Sequence, residues 1–209
     1  MRGLTLSCLA LTLLSGCYSF SNLGRARTLD QGRVEVWGAP EAIVVATDTG
    51  ASVRPIGEVG VRYGITDDVE FDARITTLGV TVGPRLQLHR SPDPGSGFDV
   101  ALAPSLAYTY PERLALELPL VVGLNLGEHQ LVLAPRVAYQ VRLDVPNVPG
   151  PVSFVYVGGA LGLALRLTPN LTLMPEVAMN TEVYADRGFS SNVSGGVGLQ
   201  GSLGLLVEL

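Results

Sequence analysis

Hydrophobic and polar residues alternate along most of the chain after residue 32. In residues 69–76 the odd positions are Val, Phe, Ala and Ile, whereas the even positions are Glu, Asp, Arg and Thr. The same alternation runs through residues 98–110, 114–125 and 130–141. A period of two residues is that of a β-strand, whose side chains point in turn to the two faces of a sheet. The pattern therefore predicts an all-β chain.

The alternating segments and the turn residues between them predict about ten antiparallel strands, and eight or twelve are also compatible with the pattern. The ten lie at residues 33–46, 53–63, 69–77, 79–90, 98–110, 114–125, 130–143, 152–166, 171–182 and 193–207. Many exceed the ~5–6 residues usual in soluble sheets and reach the ~9–11 that a tilted membrane strand needs. An even number of strands brings both ends of a bacterial barrel to one side.

The composition of the polar face indicates which face meets lipid. Only 16% of all residues are charged, against roughly 25% in an average soluble domain. The polar face is instead rich in Gly, Ala, Ser and Thr, as in residues 158–164 and 194–204. A soluble barrel would bury the apolar face, whereas a membrane barrel turns that face to lipid and its polar face to the lumen. We expect the second arrangement, an up-and-down transmembrane β-barrel over residues 33–209.

Hydropathy and charge are consistent with this expectation. Hydrophobic residues make up 47% of the chain and the mean hydropathy is +0.34. After the N-terminal segment, no apolar stretch approaches the ~18 residues of a spanning helix. The net charge is −5 and there is no basic patch, so nucleic-acid binding is not expected.

The first residues are typical of an export signal, with Arg2 followed by an apolar run from Leu4 to Leu14. The sequence Leu-Ser-Gly-Cys at residues 14–17 resembles the lipobox of bacterial lipoproteins. This resemblance implies cleavage before Cys17 and attachment of lipid to Cys17. It predicts a signal peptide at residues 1–16, a lipidated polar tether at 17–32 and a barrel at 33–209. An ordinary secretory signal, or a buried first strand with Cys17 present by chance, is the alternative.

The C-terminal strand and one hairpin resemble the outer-membrane β-barrel family. Apolar residues alternate through residues 193–207, and residues 62–71 look like the strand–turn–strand hairpins of that family, although the chain ends in Leu209 rather than Phe or Trp. The resemblance implies a bacterial outer-membrane location, with outer-membrane lipid and the barrel-insertion machinery as partners. Aromatic residues, Trp37 among them, are candidates for the interfacial girdles of such a barrel, and ordinary packing is the alternative for each of them.

Charged residues fall on the predicted interior face of several strands. An unpaired buried charge is very costly, and the planar fork of Arg suits bidentate pairing with a carboxylate. We therefore expect ion pairs that close the lumen; a polar path, a small ligand site or the paired carboxylates of a hydrolase are alternatives. The candidates are Arg62, Glu70, Asp72, Arg74, Arg85, Glu117, Arg136 and Glu176.

No catalytic, metal or cofactor motif is found. His89 and His129 are the only histidines and neither has a Ser or Asp at a telling spacing. We therefore expect a small, lipid-anchored outer-membrane barrel, not an enzyme, with a mostly filled lumen and a structural or interaction role. Loops 144–151 and 184–192 are the expected sites for an extracellular partner. A soluble periplasmic lipoprotein whose barrel binds an apolar ligand, or a narrow outer-membrane channel, is the alternative.

Overall fold

The computed structural model describes residues 19, 21–47, 50–110, 112–143, 150–186 and 197–209. These residues form eleven β-segments whose long runs of alternating side chains match the period of the sequence. The segments are β1 (Val34–Thr47), β2 (Gly50–Thr66), β3 (Val69–Thr76), β4 (Gly79–His89), β5 (Phe98–Leu102), β6 (Ser105–Thr109), β7 (Arg113–Leu126), β8 (His129–Arg142), β9 (Val152–Thr168), β10 (Leu171–Asp186) and β11 (Val197–Glu208).

The segments close into a single antiparallel barrel. Strands that follow each other in sequence pair along the sheet, and β1 pairs with β11 to complete the ring. Segments β5 and β6 both lie between β4 and β7, so together they are one strand of a ten-stranded barrel. The predicted fold class and strand count are confirmed.

One predicted strand, residues 98–110, is divided in the structure. The division falls at residues 103–104, where Pro104 has no amide hydrogen to give to the ladder. The Ala103 amide still donates to the Pro119 carbonyl at 3.0 Å, so the strand continues through the division with only a local loss of pairing.

One end of the barrel carries three two-residue turns, the break at residues 90–97, the start of the first strand and the end of the last strand. The Leu209 amide donates to the Val34 carbonyl at 2.8 Å, which ties the last residue to the first strand at this end. The turns are residues 67–68, 127–128 and 169–170, and each falls within a compact turn that the sequence predicts. We call this the turn end. The loops predicted to bind a partner belong to the opposite end, and residues 144–149 and 187–192 of them lie outside the described part.

The two faces of the wall have opposite chemistry. Leu116 is 57% exposed, whereas its neighbour Glu117 is 1% exposed. Throughout β7 and β8, the leucines and Tyr139 point outward, whereas the Ala, Gln, Asn, Glu and Arg side chains point inward together with two valines, Val121 and Val132. An apolar exterior around a polar interior is the arrangement that a membrane barrel requires. A soluble barrel would have the reverse arrangement, with a polar exterior and an apolar interior.

One aromatic residue lies on the unexpected face. Trp37 is 4% exposed and packs inside the barrel, where a side chain added at Gly60 would overlap its indole ring. The expectation that Trp37 belongs to an interfacial girdle is therefore wrong. Its place in the alternation of β1, between inward Glu35 and Ala39, explains the position. In the described residues, no helix has the length and apolar character needed to cross a membrane.

Candidate functional site: the lumen

The polar N-terminal residues occupy the interior of the barrel. From Gly32, at the turn end, the chain runs back between the strands, and Ser21, Leu23, Ala26 and Thr28 are buried there. We call residues 19 and 21–32 the lumen segment. The sequence predicts a polar tether at this place, and no periodicity in it indicates that these residues fill the lumen.

Wall side chains satisfy the backbone of the lumen segment. Four backbone amides of the segment donate to wall side chains: Asn22 to Glu176 at 2.8 Å, Ala26 to Gln130 at 2.8 Å, Thr28 to Gln87 at 2.7 Å and Leu29 to Glu70 at 2.9 Å. A buried amide without a partner is costly, and here the partners come from four different strands. Side-chain hydrogen bonds thus replace the strand ladder as the means of holding this chain.

Arginines of the wall bind the carbonyl side of the same segment. Arg74 donates to the Ser21 carbonyl at 2.6 Å, and Arg85 donates to the Arg25 carbonyl. The hydroxyls of Ser19 and Ser21 donate to Glu41 at 3.0 Å and Glu58 at 2.9 Å. Both edges of the segment are therefore engaged by charged wall residues.

Gly24 marks the closest approach between the segment and the wall. Its φ is +144°, a conformation that favours glycine. A Cβ at this position would overlap the guanidinium group of Arg62. A side chain at position 24 would therefore be strained on this path and would have to displace the Arg62 guanidinium.

Arg62 is the centre of an ion cluster near the turn end. It is 1% exposed and pairs with Glu35, with Glu70 at 3.8 Å and with Asp72 at 3.9 Å. Arg85 pairs with the same Glu70 at 3.2 Å. Opposite charges on β1, β2, β3 and β4 thus meet across the ladder, because β1 and β3 flank β2 and β4 follows β3.

A second cluster lies further from the turn end and is richer in carboxylates. Arg74 pairs with Glu58 at 3.7 Å and with Glu117 at 3.5 Å. Glu41 and Glu176 are both in register with Ser202 of β11, one on each side of that strand. Arg136 is buried on the same interior face. Carboxylates therefore surround this part of the lumen on several strands.

Asp99 forms a third polar centre, which the sequence analysis missed. It is buried, pairs with Arg27 of the lumen segment at 3.1 Å and accepts the Ser91 amide at 2.8 Å. Asn125 and Gln130 donate to it at 3.0 and 3.1 Å. Its place on the polar face of residues 98–110 was a usable signal, whereas its partner Arg27 lies outside every strand.

The structure places all eight predicted interior residues in or along the lumen. Six take part in ion pairs: Arg62, Glu70, Asp72, Arg74, Arg85 and Glu117. Glu176 binds the lumen segment through Asn22, and Arg136 is buried near the second cluster. Other interior charges, missed from the sequence, are Glu35, Glu41, Glu58 and Arg27. Cys17 lies outside the described residues.

A small cavity lies in the interior beside the lumen segment. A cavity of about 20 Å³ lies next to Asn22 and Leu23, bounded by Trp37, Arg74 and Pro104. One water needs roughly 10–15 Å³ by this measure, so the space suits a single water.

The histidines do not form a catalytic arrangement with these groups. His89 is exposed and stacks on Phe98 with ring centroids 4.6 Å apart. His129 is exposed and its Nδ1 accepts the Arg166 amide at 3.2 Å. Across the part of the chain that the structure describes, no group of three or more His, Cys, Asp or Glu residues is arranged to hold a metal ion.

Among the solved structures to which this chain is similar are two outer-membrane proteins. An outer membrane channel from Pseudomonas putida F1 is 11% identical, with 90% of this chain and 100% of that chain covered and a TM-score of 0.58. The outer membrane protease OmpT from Escherichia coli is 10% identical, with 90% and 100% covered and a TM-score of 0.51. The chain has the fold of a bacterial outer-membrane β-barrel. No protein-family model and no curated protein sequence matches it.

Proposed function

We propose that the protein is a small outer-membrane β-barrel whose lumen is closed by its own N-terminal segment, with a structural or interaction role. The observation that carries the proposal is the burial of residues 21–28 among charged wall side chains, inside a wall whose outer face is apolar. The outer face supports residence in lipid, and the occupied interior argues against free passage of solutes. Neither feature suits a soluble barrel that binds an apolar ligand, because its interior would be apolar.

The proposed interaction role depends on which surfaces remain accessible to a partner when the lumen is closed. With the interior occupied, a partner would bind outside the lumen, and the loops at the end opposite the turn end are the site that we propose. We propose loops 144–151 and 184–192 as the extracellular binding surface, as their length and turn-rich composition suggest; residues 184–186 of the second loop are the end of β10 in the structure. Deleting residues 145–149 or 187–191 should leave the barrel inserted while removing adhesion of the cells to a surface or to other cells.

We also propose a lipid anchor on Cys17, supported by the residues before it. Ser19 hydrogen bonds to Glu41 inside the lumen, and Cys17 precedes Ser19 by two residues, so an acylated Cys17 is joined to the lumen segment by a stretch of chain of at most about 7 Å.

Two measurements test these proposals separately. Membranes that contain Cys17→Ala are washed with alkaline carbonate: an integral barrel stays with the membrane, and release of the variant would refute the membrane assignment. Mass spectrometry of the N-terminal peptide should find acyl chains on Cys17 in the natural chain and none in Cys17→Ala. An unmodified Cys17 would remove the anchor and leave the barrel assignment intact.

The closed lumen is tested by conductance. The purified full chain in planar bilayers should give no steady current at low voltage. Stable channels of hundreds of picosiemens in the natural chain would contradict the closed state.

A further inference from the structure

We propose that the lumen segment is a displaceable plug, and that its departure opens a cation-selective path through the barrel. The proposal rests on the closed resting state proposed above and adds a second, open state. Four observations support it: the independence of the wall, the width that the segment occupies, the charge of the wall, and buried carboxylate oxygens without partners.

The barrel wall is complete without the segment. Every strand pairs on both sides with other strands, and β1 closes against β11 over residues 35–46 and 197–208. The segment is held by side-chain hydrogen bonds and ion pairs, and backbone pairing with the wall appears only near Gly32, whose amide donates to the Gly64 carbonyl at 2.8 Å. Its departure therefore breaks no ladder and leaves the ring intact.

The space that the segment would leave is wide enough for small ions. An extended chain needs roughly 5 Å in one direction and 10 Å in the other, the spacings of strands and of packed sheets. The segment runs from Gly32, beside Gly64 at the turn end, to Ser21, beside Glu58 in the second cluster. A vacated path of this cross-section admits water and small cations along most of the wall height.

The wall is acidic around this path. Among the described residues, eight carboxylates face four guanidinium groups along the middle of the lumen. The acids are Glu35, Glu41, Glu58, Glu70, Asp72, Asp99, Glu117 and Glu176, and the arginines are Arg62, Arg74, Arg85 and Arg136. The half-buried Arg54, Arg113, Arg142 and Glu182 lie nearer the mouth and the half-buried Arg166 lies near the turn end, where solvent and salt screen charge.

The segment supplies part of the missing positive charge. Arg27 pairs with Asp99 at 3.1 Å, and Arg25 donates to Thr172 at 2.7 Å within the same interior. Removing the segment removes both cations and leaves the wall carboxylates in a narrow channel. Such a channel concentrates cations and repels anions, because low-dielectric walls focus the field of the carboxylates.

Several wall carboxylates have one oxygen without a hydrogen-bond partner even with the segment in place. Glu58 Oε2, Glu117 Oε1 and Glu176 Oε2 are buried and have no hydrogen-bond partner among the described residues. Buried polar groups are normally satisfied, and each exception calls for an explanation. These oxygens line the second cluster, where carboxylates exceed arginines, so this part of the wall is suited to more positive charge than the seated segment provides.

Gly24 gives a way to displace the segment without altering the wall. Gly24→Leu places a side chain where the Arg62 guanidinium lies, so the seated path over Arg62 is blocked. Gln31→Leu is the matched control, because it adds an apolar side chain to the same segment at an exposed position near the turn end. Retained heat-modifiable mobility on unboiled gels shows that each variant is folded.

The test is conductance of the full chain in planar bilayers with a KCl gradient. We expect the natural chain and Gln31→Leu to be silent and Gly24→Leu to conduct, with K⁺ several-fold more permeant than Cl⁻. Adding Glu117→Gln and Glu176→Gln to Gly24→Leu should lower that preference. A folded Gly24→Leu that stays silent overturns the plug, and an anion preference overturns the charge argument. Steady current from the natural chain refutes instead the closed resting state.

A second measurement decides the matter if Gly24→Leu fails to fold. Leu23→Cys and Gln31→Cys are made separately in a cysteine-free full chain and labelled with a cationic thiol reagent in vesicles. Leu23 is buried and Gln31 is exposed, so a displaceable plug should be labelled many-fold more slowly at position 23 than at position 31. Labelling at position 23 should become faster in high salt, because salt screens the ion pairs that hold the segment. Equal rates mean that the segment is never seated. No labelling at 23 in any salt means that it never leaves; either result overturns the proposal.

Discussion

Replacing Arg62 with methionine removes the cation on which three wall carboxylates converge. Glu35, Glu70 and Asp72 all pair with this buried guanidinium. Methionine keeps much of the length of the side chain and removes its charge and donors. The variant therefore isolates the electrostatic contribution of the cluster near the turn end.

The expected loss follows from burial and from the partners that are left. Removing one partner of a buried ion pair costs about 3–5 kcal/mol, because the remaining charge is uncompensated. Glu70 keeps Arg85 at 3.2 Å, which places our expectation near the lower value, about 3 kcal/mol. The control is Arg33→Gln at the turn end. Arg33 pairs with Glu208 at 3.1 Å, with side chains 50% and 27% exposed, and exposed pairs contribute only about 0–1 kcal/mol.

Unfolding in urea measures both variants in the same barrel. Trp37 is the only tryptophan and is buried in the lumen over Gly60, so its fluorescence reports opening of the interior. Arg62→Met with Glu70→Gln should recover part of the loss, because the double variant removes a carboxylate as well as its cation. If Arg62→Met lowers the free energy of unfolding no more than Arg33→Gln does, the assigned role of the cluster is wrong.

Three further predictions concern the outer face, the third polar centre and one close contact. In lipid, Leu118→Arg on the outer face at the middle of β7 should lower the unfolding free energy by about 2–4 kcal/mol, whereas Leu126→Arg at the strand end should lower it by about 0–1 kcal/mol. Equal losses for the two variants would argue against the membrane orientation. Asp99→Asn should cost about 1.5–3 kcal/mol, since it weakens charge-assisted hydrogen bonds, and the urea midpoint measures this. The added methyl of Gly64→Ala would overlap the Asp30 backbone, whereas that of Gly38→Ala makes only ordinary contacts. We therefore expect the first substitution to cost about 1–3 kcal/mol of unfolding free energy and the second much less. Equal urea midpoints for the two variants would contradict the assigned contact.

The fold was predictable because a membrane barrel imposes the same constraint on every strand. Each strand must show lipid on one side and the lumen on the other, so the period of two continues from β1 to β11. The small and polar residues of one face then decided which solvent each face meets. The division at Pro104 and the inward position of Trp37 depend on single residues, and the strand pattern does not report such local features.

The eight charges predicted for the lumen followed from that same alternation, but their pairing did not. Arg62 and Glu70 are close in sequence, on neighbouring strands, and a hairpin brings them together. Arg74 and Glu117 are 43 residues apart and meet at 3.5 Å only because the ring closes. The alternation within a single strand is therefore enough to predict which charged residues face the interior. Predicting which of them form ion pairs requires the closed barrel.

The lumen segment was not predictable from its own residues, and the reason lies in how it is bound. A strand shows a period because it has two faces in different solvents. The lumen segment is surrounded by the wall on all sides, so polar and small residues are suitable at every position and no period arises. Its partners are remote, 154 residues away for Asn22 and Glu176 and 104 for Ala26 and Gln130. The sequence signal for such a segment is in the wall, because an interior with more carboxylates than arginines needs a source of positive charge. Arg25 and Arg27 lie outside every strand and supply such charge inside the lumen.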